Sequence, residues 1–134
     1  MSCSSSTACA TVGEYQKSSG VVVTLALQWS RKKWAIKSTP NPSGADGSVL
    51  QGVSCSSGNA CTAVGYYQNG SGVDVTLALH WNGSKWAIQS TPNRSHADGS
   101  ELFGVSRMSG TAITAIGYYD NVSGDEFSLA ERRS

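Results

Sequence analysis

Charge is scarce in this chain: Asp, Glu, Lys and Arg together make up 14% of its 134 residues, against roughly 25% in an average soluble domain. The 10 basic and 9 acidic residues leave a formal net charge of +1, so the basic stripe of an electrostatic nucleic-acid binder is missing. No apolar run approaches the ~20 residues of a membrane-spanning helix. No secretory leader is read either, because Met1 runs directly into Ser2 and Cys3. Histidine occurs only as His80 and His96, matched in the preceding copy of the repeat described below by Gln28 and Gly44. There is no Gly-x-Ser-x-Gly elbow, phosphate loop or HExxH motif, and the 9 acidic residues fall mostly in turns. The expectation is one domain over 1–134 with no enzymatic activity, no cofactor and no metal. What is abundant is glycine, 15 residues, together with serine. A small, weakly charged, turn-rich chain has the composition of an all-β extracellular module.

Self-similarity organises the rest. Ser-Cys-Ser-Ser at 2–5 returns at 54–57, Thr-Leu-Ala-Leu at 24–27 returns at 76–79, and Ser-Thr-Pro-Asn at 38–41 returns at 90–93. Trp29 answers Trp81 and Trp34 answers Trp86, every offset being 52 residues, with about two-thirds of aligned positions identical. The copies are 2–53, 54–105 and a truncated third, 106–134, so the chain holds about 2.6 units. In the third, Gly117-Tyr118-Tyr119 repeats Gly65-Tyr66-Tyr67, whereas Arg107, Ile113 and Arg133 replace Cys55, Cys61 and Trp81.

Within one unit the pattern predicts strands at 49–55, 60–67, 73–81 and 85–91, separated by turn-formers such as Asn82-Gly83-Ser84. The link from Pro92 to Ser100 shows no strand pattern, and no stretch keeps a helical period. Four antiparallel strands and a longer connection describe a β-propeller blade; a β-trefoil is the rival. The run Gly-Val-Ser-Cys-x5-Cys-x-Ala-Val-Gly-Tyr-Tyr, then Leu-Ala-Leu-x-Trp-Asn-Gly-x-x-Trp, then Ser-Thr-Pro-Asn, resembles blades repeated along secreted bacterial, notably actinobacterial, proteins. Its layout is also similar to Asp-box propeller blades. The resemblance implies a propeller and is nearly silent on activity.

Cys3 and Cys9, and their copies Cys55 and Cys61, end one strand and begin the next. They are therefore expected to bridge as 3–9 and 55–61, and their joint loss in the third unit fits a bonded pair. A four-thiolate zinc site and buried free thiols are the alternatives. Bridged cysteines point to an oxidising, extracellular compartment.

The aromatics admit two roles. Trp29, Trp34, Trp81, Trp86, Tyr67 and Tyr119 either pack between sheets or stack on pyranose faces, with Asn82, Asp98, Asn41 and Asn93 reaching sugar hydroxyls. Four Asn-x-Ser sequons, at Asn69, Asn82, Asn93 and Asn121, also read as turn chemistry. Strand counting gives three, four and three strands, an open arc whose sheet faces need a partner. Closure by homo-oligomerisation follows, a dimer being favoured over a trimer. The expected function is a self-assembling structural or interaction scaffold, with a carbohydrate-binding, lectin-like propeller as the alternative.

Overall fold

Along 75–81 the chain reads Val-Thr-Leu-Ala-Leu-His-Trp, with large apolar side chains on one face and the small Thr76 and Ala78 on the other, so both faces are buried only when each has a neighbour. The computed structural model, which describes residues 1–108 and 111–134, supplies those neighbours. Its strands are β1 (Ser2–Ser5), β2 (Ala8–Gln16), β3 (Val22–Ser30), β4 (Lys33–Lys37), β5 (Gly47–Ser57), β6 (Ala60–Gln68), β7 (Asp74–Trp81), β8 (Trp86–Gln89), β9 (Ala97–Arg107), β10 (Ile113–Asn121) and β11 (Glu126–Arg133). No helix occurs among the described residues. The all-β class holds.

β1 to β4 form one antiparallel sheet in chain order. β5 to β8 form a second meander, and β9 to β11 a third; a single parallel bridge, Asp74 to Gly99, joins these two into one larger sheet. Neither sheet closes on itself. The register repeats with the sequence: Cys3 faces Cys9, Cys55 faces Cys61, and Arg107 faces Ile113. The bulge repeats too, between Leu50 and Gly52 on β5 and at the matching step, Leu102 to Gly104, on β9.

Three strand expectations need correcting. The first meander has four strands rather than three, because Ser2–Ser5 already pairs with β2 as a short edge strand. The link after Pro92 is shorter than expected, since β9 begins at Ala97 and carries Asp98 in a strand rather than a loop. The sequence-repeat boundaries at 53/54 and 105/106 fall inside β5 and β9. β8 also ends early. There the chain crosses over β7, where the Asn93 side-chain oxygen accepts from the Thr76 backbone amide at 3.1 Å and its hydroxyl at 3.0 Å.

Each meander has two faces. One carries the disulfide and the tryptophan pair; the other carries Val12 or Val64. The valine face of the first meander (Ala10, Val12, Ala26) packs on the tryptophan face of the second (Leu50, Cys61, Ala63, Leu77, Leu79, Trp81, Trp86). The valine face of the second (Val64, Ala78) packs in the same sense on Leu102, Val105, Ala115 and Leu129 of the third. Fully burying a side chain such as Leu77 or Leu79 stabilises the fold by about 1.5–3 kcal/mol. Both cysteine pairs are bridged, with Cα–Cα distances of 3.9 and 4.0 Å, and free cysteines are absent. This is compatible with an extracellular location.

Candidate functional site

The Trp-x4-Trp motif occurs twice with nearly identical local structure. Trp29 stands opposite Trp34 across β3 and β4, and Trp81 opposite Trp86 across β7 and β8; ring centroids are 5.7 Å apart in both pairs. Their surroundings differ. Trp81 and Trp86 are 3% and 4% exposed, covered by the first meander, with Lys37 Nζ 5.9 Å from the Trp81 ring. The Trp81 indole N–H donates to the Gly58 carbonyl at 3.2 Å. Within this chain that pair offers no open ring face to a sugar. Trp29 is half-buried and Trp34 is 41% exposed, because nothing lies over the tryptophan face of the first meander.

The polar candidates are mostly engaged in holding the backbone. Asn82 accepts from the Ser84 amide, the Ser84 hydroxyl and the Lys85 amide at 2.9–3.0 Å, forming an Asx turn at the hairpin tip. The first-meander hairpin tip puts Arg31 at φ 59° where the second has Gly83 at φ 97°, so this tip demands a left-handed residue. Asn41 repeats the Asn93 clasp on Thr24, with a Thr24 to Thr39 hydroxyl contact of 2.8 Å beside it. Tyr67 is half-buried against the first core. Tyr119 stacks on Phe127 at 5.3 Å with the Arg94 guanidinium 5.1 Å from its ring. Asp98 is exposed near the start of β9, beside the Asp74 end of β7 rather than its Trp81 end. The sequence candidates are thus not brought together into one pocket.

Two features escaped the sequence reading. The first is a pair of serine clasps between meanders: the Cys55 amide donates to Ser2 Oγ and, 52 residues on, the Arg107 amide donates to Ser54 Oγ, both at 3.0 Å. Ser106, exposed at the end of the series, is the third member. The signal was present, because the third unit keeps this serine while losing the adjacent cysteine. The second is the valine face of the third meander. Ile116 is 49% exposed where Val64 is 1% exposed, and Phe103, also exposed, lies 6.4 Å from the Tyr118 ring. Burial, then the Glu101 side chain hydrogen-bonded to it, pushes the Tyr118 phenol up to about 12.

A cavity of about 590 Å³ runs between Ala78, Thr91, Asn93 and Arg94 on one side and Leu129 to Arg133 on the other, along the unpaired edge of β11. Glu131 projects there with Oε1 buried and without a hydrogen-bond partner, and burial raises its pKa. Among the described residues no group of three or more His, Cys, Asp or Glu side chains could hold a metal ion. No family model, no curated protein and no solved structure matches the chain.

Proposed function

We propose that this chain is a module of β-propeller blades that performs no catalysis, assembles with copies of itself, and serves as a structural or interaction scaffold. One observation carries the reading: successive meanders stack valine face on tryptophan face, and one face of each kind is left open at the two ends of the stack. Face-to-face stacking of whole meanders supports a propeller over a trefoil, in which the three repeats share one barrel. Two copies closing their arcs on each other give a six-bladed ring with no open sheet face. Native mass across a concentration series tests this. A species of twice the 14.0 kDa chain mass is expected, and a chain that stays monomeric at high micromolar concentration overturns it.

The exposed Trp34 beside Trp29 favours a second reading, carbohydrate binding on the outer face of the first meander. Trp and sugar C–H surfaces stack well, and only this pair has the exposure to do so. A glycan array run with the wild type and Trp34→Ala separates the two readings. Silence across the array with an intact oligomer removes the lectin.

A further inference from the structure

We infer that the partner for the open tryptophan face of the first meander is the open valine face of the third meander in a second copy, docked in the register used twice inside the chain. The inference rests on the self-assembly reading and specifies it, because self-assembly alone permits like faces to meet.

The chain itself shows what each open face accepts. A tryptophan face with a neighbour has Trp86 at 4% exposure, whereas the same position without one, Trp34, is at 41%. A valine face with a neighbour has Val64 at 1%, and without one Ile116 at 49%. The covering partner is a valine face both times, never a tryptophan face. Carrying the internal contacts round the repeat, two units on for the valine face and one unit back for the tryptophan face, places Ile116, Ala130 and Thr114 over Leu25, Leu27 and Trp29 of the other copy, as Val12, Ala26 and Ala10 lie over Leu77, Leu79 and Trp81.

The serine clasp fixes the register. Ser2 Oγ takes the Cys55 amide and Ser54 Oγ takes the Arg107 amide. The next step in the series pairs Ser106 Oγ with the Cys3 amide of the second copy. The contact beside the disulfide is read across in the same way. Gln28 and Ala10 lie against the Cys55–Cys61 bridge with only a small gap of about 30 Å³ between; Arg132 and Thr114 occupy those positions on the open valine face and would meet Cys3–Cys9. Unlike faces meeting head to tail make a heterologous contact, which closes into a ring when the rotation permits.

Two charge insertions on exposed positions test this without disturbing either core: Trp34→Glu on the tryptophan face and Ile116→Glu on the valine face. Circular dichroism and disulfide content first establish that each variant is folded. Each variant alone is expected to be monomeric where the wild type assembles. Mixed one to one, they are expected to form a heterodimer through the one interface that neither mutation touches. Two outcomes overturn the register while leaving self-assembly standing: one variant still assembling alone as the wild type does, or two monomeric variants that fail to complement. A monomeric wild type removes both. Ser106→Ala should weaken dimer assembly about thirtyfold, the worth of two ordinary hydrogen bonds, one at each of the ring's two interfaces, with faster amide exchange at Cys3; unchanged assembly and exchange count against the clasp.

Discussion

Nδ1 of His80 on β7 lies 3.4 Å from the Arg107 guanidinium on β9, at the place where the preceding interface has Gln28 beside a disulfide. Arg107 also donates to Ser56 Oγ at 3.1 Å and Thr62 Oγ1 at 3.0 Å, so the cation is held against the ring. Burial lowers the His80 pKa, the Arg107 charge lowers it further and that of Arg133 adds a little, while a backbone hydrogen bond with Cys61 opposes them. His80 therefore takes up a proton less readily in the fold than in the unfolded chain, where it titrates near the ordinary value of about 6.5. The stability this contributes is complete above that pH and is lost as pH falls through the lowered value. Thermal midpoints from pH 7.5 to 5 should fall more for the wild type than for His80→Gln. Parallel curves for the two proteins would remove the histidine from the acid response.

Arg107 and Ile113 face each other in the register that bridges Cys55 to Cys61. Arg107→Cys with Ile113→Cys should therefore close a third disulfide without backbone movement. Against the matching double alanine variant, the oxidised bridge should add about 2 kcal/mol, the worth of so short a loop. Relative to wild type the gain is smaller, because the hydroxyls of Ser56 and Thr62 lose their guanidinium. Thiol titration and urea midpoints decide it; free thiols in the oxidised double variant would show that the register differs from the second unit.

Much of the fold was legible because its repeat is regular. The strand from Ala60 and the hairpin at Asn82-Gly83 lie where alternation and turn chemistry put them, and the cysteine spacing led to the bridges that form. The short β1 was missed because two residues before Cys3 look too few for a strand, although pairing continues through the cysteine to Ser5. The site was far less legible, for a definite reason. Trp34 and Trp86 share the context Lys-Trp-Ala-Ile, yet one is exposed and the other buried. The difference lies in which meander stacks on each, a contact between segments about fifty residues apart. Local sequence does not encode that neighbour. Asn41 and Asn93 were read as ligand groups for a related reason: a clasp on Thr24 or Thr76 requires knowing that the chain crosses back over the third strand.

Glu131 occupies the position that Leu27 and Leu79 hold in the first two units. Its Oε1 is buried without a partner, and burial raises its pKa. A carboxyl whose folded pKa is raised is least harmful when protonated. Its penalty is absent below the unfolded value of about 4.5 and grows to completion as pH rises through the folded value. Glu131→Leu should stabilise the fold by about 1 kcal/mol at neutral pH, the cost of one unsatisfied buried polar atom. Urea midpoints should show that gain shrinking as pH falls towards 4. A variant no more stable than wild type at pH 7 would mean that the carboxylate is solvated through the groove beside β11.

Gly13, Gly65 and Gly117 share one sequence position, but only the last two face a bulge. A Cβ on Gly65 would meet the Val49 carbonyl oxygen and come within 2.9 Å of Leu50 Cα; one on Gly117 would meet the Glu101 carbonyl oxygen and Leu102 Cα in the same way. Both obstacles are backbone, so no side-chain rotation relieves them, and the bulged strand, β5 or β9, would have to leave its ladder. Around Gly13 a Cβ meets nothing within 4 Å, since β1 does not extend opposite it. Alanine at 65 or 117 should therefore cost about 3 kcal/mol or more, in the range of severe steric and backbone effects. Alanine at 13 should be neutral or slightly stabilising, because it restricts the unfolded chain. Chemical denaturation of the three single variants provides the comparison. Equal losses at all three positions would mean that the glycine is required by the strand itself, and that the bulged neighbouring strand does not set the difference.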